Sequence, residues 1–207
     1  MQQNDHGRRD LDGADGAAGT GASAAHGPLD CLAREHVLQL EVCEALEHIA
    51  DDLPGRVDLK LVCAVINVLQ HGLTGHFRFE EEVLFPRLRE RAGADVSLAA
   101  ALDQLQSEHA RDGDLCHELA EELKVLSVRG EPRNADMLAY MLRGFFEGQR
   151  RHIEWENSIV LPAARRVLSE QDLQGLARYA EQSARKLPSL KALPRGRKRP
   201  RLPPAVK

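Results

Sequence analysis

Apolar residues recur at intervals of three and four along five stretches of the chain. That spacing places them on one face of an α-helix. The first stripe is Leu29, Leu32/Ala33, His36, Leu40, Cys43, Leu46, Ala50, which predicts a helix over 30–50 capped by Asp30. The second is Val62, Val65, Leu69, Gly72, His76, Phe79/Glu80, Val83, a helix over 57–91 that Pro86 should kink or end. The third is Leu98, Leu102, Leu105, His109, Asp112, Cys116, Leu119, Leu123, Leu126, a helix over 96–127 starting near Asp95 or Ser97. The fourth is Leu138, Leu142, Phe145, Gln149, His152, Glu156, Ile159, Ala163, a helix over 135–167 capped by Asn134. A shorter amphipathic stretch over 170–186, with Leu173, Leu176, Ala177 and Ala180, opens on Ser169 and Asp172, close to a capping box.

Breakers separate these stretches: Asp51-Asp52-Leu53-Pro54-Gly55, then Gly93, then Arg129-Gly130-Glu131-Pro132. Short turns between long helices imply antiparallel neighbours. The expected fold is therefore all-α: an up-down-up-down antiparallel four-helix bundle over 29–186, with the short fifth helix packed outside. Only 4 % of residues are aromatic, and Leu, Ala, Glu and Arg are abundant, which favours helices over sheets. No apolar run approaches the roughly 18 residues that span a bilayer.

Four of the nine histidines interrupt these apolar seams, one per long helix: His36, His76, His109 and His152. Counted from the turns, they fall at similar heights in an antiparallel bundle. Two of them open a repeated phrase. His76 to Glu80 and His152 to Glu156 are both His-x-x-x-Glu, and each is followed, after five intervening residues, by proline, Pro86 and Pro162. Residues four apart stack on one helix face, so each phrase points an imidazole and a carboxylate the same way. Two buried carboxylates repel each other and are costly to desolvate, and a multivalent cation relieves both problems. Imidazole with carboxylate suits iron, manganese or zinc.

The spacing also discriminates among metal families. No glutamate lies three residues before any histidine, as ferritin-like carboxylate proteins require, and neither His-Glu-x-x-His nor Cys-x-x-Cys occurs. Arg34-Glu35-His36, His76 through Glu80-Glu81-Glu82-Val83-Leu84-Phe85-Pro86, and Ser107-Glu108-His109 instead resemble the hemerythrin-like (HHE cation-binding) family over about residues 29–168. The resemblance implies two non-haem irons joined by an oxo or hydroxo bridge. His36 and His76 would bind one iron and His109 and His152 the other, with Glu80 and Glu156 bridging. Oxygen carriers of that family have a further histidine four residues after the one on the third helix. Here that position is Gly113, which argues against reversible oxygen carriage; Asp112 beside it is the candidate substitute.

Glu35, Glu81, Glu82 and Glu108 are expected to be solvated or to orient the imidazoles. Tyr140 and Trp155 are expected to pack, and His48, His71 and His117 to be ordinary partly exposed histidines. The four cysteines read as reduced, half-buried thiols of a cytoplasmic protein. Residues 1–28, rich in Gly, Ala and Asp, read as a disordered arm. Arg8-Arg9 mimics an export signal, but Asp10, Asp12 and Asp15 stand where its apolar region belongs. Residues 187–207 form a Pro- and Arg-rich tail with no acidic residue, although the whole chain carries a net charge of −4. The function expected is a protein that binds or senses oxygen, nitric oxide or peroxide, or stores iron. The alternatives are a di-iron enzyme reducing peroxide or nitric oxide, and a sensor whose basic tail contacts nucleic acid or a protein partner.

Overall fold

The computed structural model describes residues 27–184. Of the arm expected over 1–28, all but the last two residues lie outside the described residues, as does the basic tail from 187. Five helical runs follow one another: α1 (Pro28–Asp52), α2 (59–92), α3 (Val96–Arg129), α4 (135–167) and α5 (Glu170–Ala184). Among the described residues there is no strand, and no helix is long and apolar enough to cross a membrane.

The helix ends follow from local chemistry. Asp58, Asp95 and Asn134 accept hydrogen bonds from the first free backbone N–H groups of α2, α3 and α4. The expected cap at Asp30 is instead Gly27, because Pro28 occupies the first turn of α1, where it has no N–H to lose. Gly130 closes α3 in the left-handed conformation, φ 76°, and its N–H bonds to the Leu126 carbonyl at 2.9 Å.

Pro86 and Pro162 do not end their helices. Each follows a π turn, Glu80–Leu84 in α2 and Glu156–Val160 in α4, and α2 carries another at Val68–Gly72. The Phe85 N–H reaches back five residues to the Glu80 carbonyl, and the Leu161 N–H to the Glu156 carbonyl. The widened turn holds an extra residue immediately before a proline that cannot donate a hydrogen bond. It also rotates the buried face by one position. Leu84 and Val160, both fully buried, take the inward places expected for Val83 and Ile159, and Ile159 is 37 % exposed. In α1, Gln39 is buried where Leu40 was expected. Tyr140 and Trp155 are surface residues rather than packing ones.

Partner numbers fall along one helix as they rise along its neighbour. Asp30, Glu47 and Asp51 of α1 meet Arg165, Arg150 and Arg143 of α4. Glu81 and Arg89 of α2 meet His109 and Asp103 of α3. Glu108 and Asp112 of α3 meet His152 and Gln149 of α4. Two apolar clusters fill the interior. One contains Val42, Leu69, Leu119, Leu142 and Phe145; the other contains Leu32, Leu84, Phe85, Leu102 and Val160. Each fully buried leucine contributes about 1.5–3 kcal/mol relative to an exposed one. The polar seam residues lie between the two clusters, so apolar packing clamps that layer from both ends.

Helix α5 packs on α1 and α2. Leu176 enters the second cluster, and Asp172 pairs with Arg91 through both carboxylate oxygens, at 2.9 and 3.0 Å. Ser169 and Asp172 form the reciprocal cap expected from the sequence, Ser169 N–H to Asp172 Oδ2 at 3.0 Å and Asp172 N–H to Ser169 Oγ at 3.2 Å.

Candidate metal centre

His36, His76, Glu80, His109, His152 and Glu156, one or two from each long helix, all converge in the layer between the apolar clusters. Each is at most 3 % exposed. They form two overlapping groups, His36-His76-Glu80-Glu156 and Glu80-His109-His152-Glu156. Within each group one ligand atom per residue lies within 4.8 Å of all the others. Both carboxylates belong to both groups.

The imidazoles are oriented from behind. His76 Nδ1–H donates to Glu35 at 2.9 Å, His109 Nδ1–H to Glu81 at 3.0 Å and His152 Nδ1–H to Glu108 at 2.9 Å. His36 Nδ1–H donates to the Asn157 side-chain carbonyl at 2.7 Å. A carboxylate or amide oxygen only accepts, so each partner places the ring proton on Nδ1 and turns the Nε2 lone pair inward. Two aromatic rings from α2 fix His109 further: Phe77 stacks on it at 4.3 Å and Phe85 at 5.7 Å between centroids.

Inside the layer, acceptor faces acceptor. His152 Nε2 is 3.0 Å from Glu156 Oε1, His36 Nε2 is 3.2 Å from Glu156 Oε2, and His76 Nε2 is 3.4 Å from Glu80 Oε2. The Nε2 atoms of His36 and His76 and all four carboxylate oxygens are buried without a hydrogen-bond partner. Lone pairs aimed at one another in a dry interior need a proton or a cation between them. The two carboxylates also respond to each other. Burial, and then the charge of Glu156, push the Glu80 carboxyl well above the usual range. Burial opposes the charge of Glu156 too, but the close imidazoles of His109 and His152 hold it well below that range. Neutral imidazoles and carboxylates around shared oxygens suit a borderline metal such as iron.

Sequence reasoning missed Asn157, whose matching place in the first phrase is held by Glu81, the residue that serves His109. Its only signal is its position directly after Glu156. Glu82 does not orient a histidine; it pairs with Arg78 and accepts from Tyr179 Oη at 2.6 Å. Asp112 belongs to neither group and accepts instead from Gln149 Nε2. Gly113 is solvent-exposed, and a Cβ built there meets no atom within 4 Å, so its open space faces water rather than a core seam. His71 and His117 are exposed and His48 half-buried, as expected.

No curated protein and no solved structure matches the chain. The hemerythrin HHE cation binding domain does, over residues 27–164. That span takes in α1 through most of α4 and every residue of the convergent layer. A fold of this family with buried His/Glu clusters is built to bind metal, iron in particular, and the chain belongs to the hemerythrin HHE cation binding domain family.

Proposed function

We propose that this protein holds two non-haem irons and uses them to bind or sense a small oxygen species. His36 and His76 hold one iron, His109 and His152 the other, and Glu80 and Glu156 bridge them together with an oxo or hydroxo group. One observation carries the reading: inward lone pairs and four carboxylate oxygens, all buried, none with a hydrogen-bond partner at Glu80 or Glu156, arranged as two groups that share both carboxylates. When bound, such a pair of irons supplies a place where a small ligand can attach and exchange electrons. The chain's own residues hold the imidazoles in one tautomer, exclude bulk water with two apolar clusters, and set the spacing of the donors.

The domain we assign, 29–186, is an up-down-up-down four-helix bundle closed by α5. The antiparallel partner numbering between α1 and α4, α2 and α3, and α3 and α4 supports that topology. The absence of any disulfide among the four cysteines of the described residues supports a reducing, cytoplasmic setting. Burial pushes the Cys43 thiol up to about 12, so it takes no part in thiolate chemistry.

Elemental analysis and the optical spectrum of protein purified from iron-supplemented cells test the reading. Two irons per chain, with the near-ultraviolet bands of a bridged ferric pair, are expected. Protein that refuses iron under anaerobic reconstitution overturns it.

A further inference from the structure

The metal layer repeats itself almost in full. His36 of α1 corresponds to His109 of α3, and the His76–Glu80 phrase of α2 to the His152–Glu156 phrase of α4. The residues behind the rings repeat too. Glu35, just before His36, accepts from His76 Nδ1–H at 2.9 Å, and Glu108, just before His109, accepts from His152 Nδ1–H at 2.9 Å. The residue just after each shared carboxylate serves the remaining ring: Glu81 accepts from His109 at 3.0 Å and Asn157 from His36 at 2.7 Å. Exchanging the two halves maps each proposed ligand and each rear acceptor onto its counterpart. Only Glu81 and Asn157 differ in kind.

That difference falls on one side. The His109–His152 position has a carboxylate behind both rings. The His36–His76 position has one carboxylate, Glu35, and one neutral amide. Glu80 and Glu156 belong to both groups, so they do not even this out. Solvent adds to the inequality. The Glu35 side chain is 44 % exposed, against 32 % for Glu81 and 27 % for Glu108, so water screens the single charge behind His36–His76 most. A carboxylate that accepts an Nδ1–H makes the imidazole a stronger donor and adds negative charge near the ion. An amide orients the ring and does much less of either. Stronger donation and more negative charge favour a ferric ion over a ferrous one.

We propose, resting on the two-iron reading above, that Asn157 makes the metal positions unequal, so that the iron held by His36 and His76 is reduced before the iron held by His109 and His152. Starting from a ferric pair, one electron from an external one-electron donor turns the iron at His36–His76 ferrous. A second electron reduces the other iron at lower potential. No bond to a protein atom forms or breaks in either step. Asn157 acts as a positioning residue: it touches a ligand rather than an ion, and through that ligand it sets which iron changes charge first.

Reductive titration of the iron-loaded full chain at fixed pH, followed by electron paramagnetic resonance, tests this. Wild type is expected to reduce in two one-electron steps, with the mixed-valence signal greatest at one electron per pair. Asn157→Asp puts a carboxylate behind His36 and keeps the acceptor. It should lower the first step by at least a tenfold change in the ferric-to-ferrous ratio, about 59 mV for one electron, while the second step moves less. A merely structural Asn157 would leave both steps in place. Glu108→Gln takes a carboxylate from behind His152 and should raise the second step while the first moves less. It decides the matter should Asn157→Asp fail to fold. With two irons loaded, a single two-electron step in wild type, or a variant that shifts the wrong step or neither, overturns the inference and leaves the metal centre standing. Wild type that loads fewer than two irons removes the inference together with the two-iron reading.

Discussion

His109 and His152 face each other Nε2 to Nε2 at 3.0 Å, from neighbouring helices. Both rings already donate from Nδ1, to Glu81 and to Glu108. Neither Nε2 has a hydrogen to offer the other, so two lone pairs meet across a buried gap. Burial disfavours a charged His152, yet Glu156 and Glu108 outweigh it and raise the imidazole above its ordinary value, the response of a site that attracts positive charge. A cation held at this contact would tie α3 to α4.

Removing a shared carboxylate tests the sharing itself. Glu80 and Glu156 each belong to both donor groups. Glu80→Ala or Glu156→Ala is expected to lower metal content at both groups rather than at one, and the double variant to abolish it. Metal per chain, measured by elemental analysis on folded protein, checks this; full loading of the double variant would exclude these residues as ligands.

Metal removal should destabilise the fold. A cation that binds the folded chain and has no preformed site in the unfolded one stabilises by about 2.7 kcal/mol at a free concentration 100 times its Kd. Chelation is therefore expected to lower Tm, and metal added back to restore it. Identical calorimetric melts with and without verified metal would reduce the layer to a structural polar core.

Asn157 supplies a separate test, because it touches only the rear of a histidine. Asn157→Leu leaves the His36 Nδ1–H without its 2.7 Å acceptor and frees the ring to turn. Loss of an orienting partner of this kind typically costs about 10- to 100-fold in metal affinity. The expected result is weaker metal binding at unchanged helix content, read by competition with a chelator. Asn157→Asp, which still accepts, should recover most of the affinity.

The attachment of α5 carries a pH dependence of known sign. The Arg91 guanidinium and the Ser169 hydroxyl hold the Asp172 carboxyl well below its ordinary value. A depressed carboxyl stabilises the fold above its unfolded pKa, about 3.9, and that contribution fades as pH falls from there toward the folded value. Asp172→Asn should lower Tm at neutral pH and narrow its difference from wild type below about pH 4. A gap between the two proteins that stays constant across that range would show that the charge on Asp172 is not what holds α5.

Much of this was legible in the sequence because apolar spacing and ligand spacing obey the same helical period. His36, His76, His109 and His152 fell on seams that any 3.6-residue count finds, and the antiparallel turns set their heights. Misplacement began where the period changes. Val83 and Ile159 were assigned inward by a count that ran straight through Glu80–Leu84 and Glu156–Val160, where each π turn adds a residue. The repeated Glu-x5-Pro phrase was visible, but a proline alone suggests a kink or an end; that the chain accommodates it by widening the preceding turn depends on packing at both ends. Gln39 escaped for another reason. It is polar, and only the neighbouring helices show that its side of α1, rather than that of Leu40, is enclosed.

The π turns at Glu80–Leu84 in α2 and Glu156–Val160 in α4 each separate two reading frames. Upstream of Glu80 and Glu156 the buried face is counted from the histidines; downstream it is counted from Leu84 and Val160. Losing one residue between Glu80 and Pro86 would let the widened turn close into an ordinary α turn and leave Phe85 and Leu88 on the face of the second cluster. Losing one residue from the regular helix on either side has no such slack and would swing everything beyond it by about 100°. At these two places the chain carries a spare residue, so a deletion is absorbed there that a regular turn would pass on to the whole downstream face.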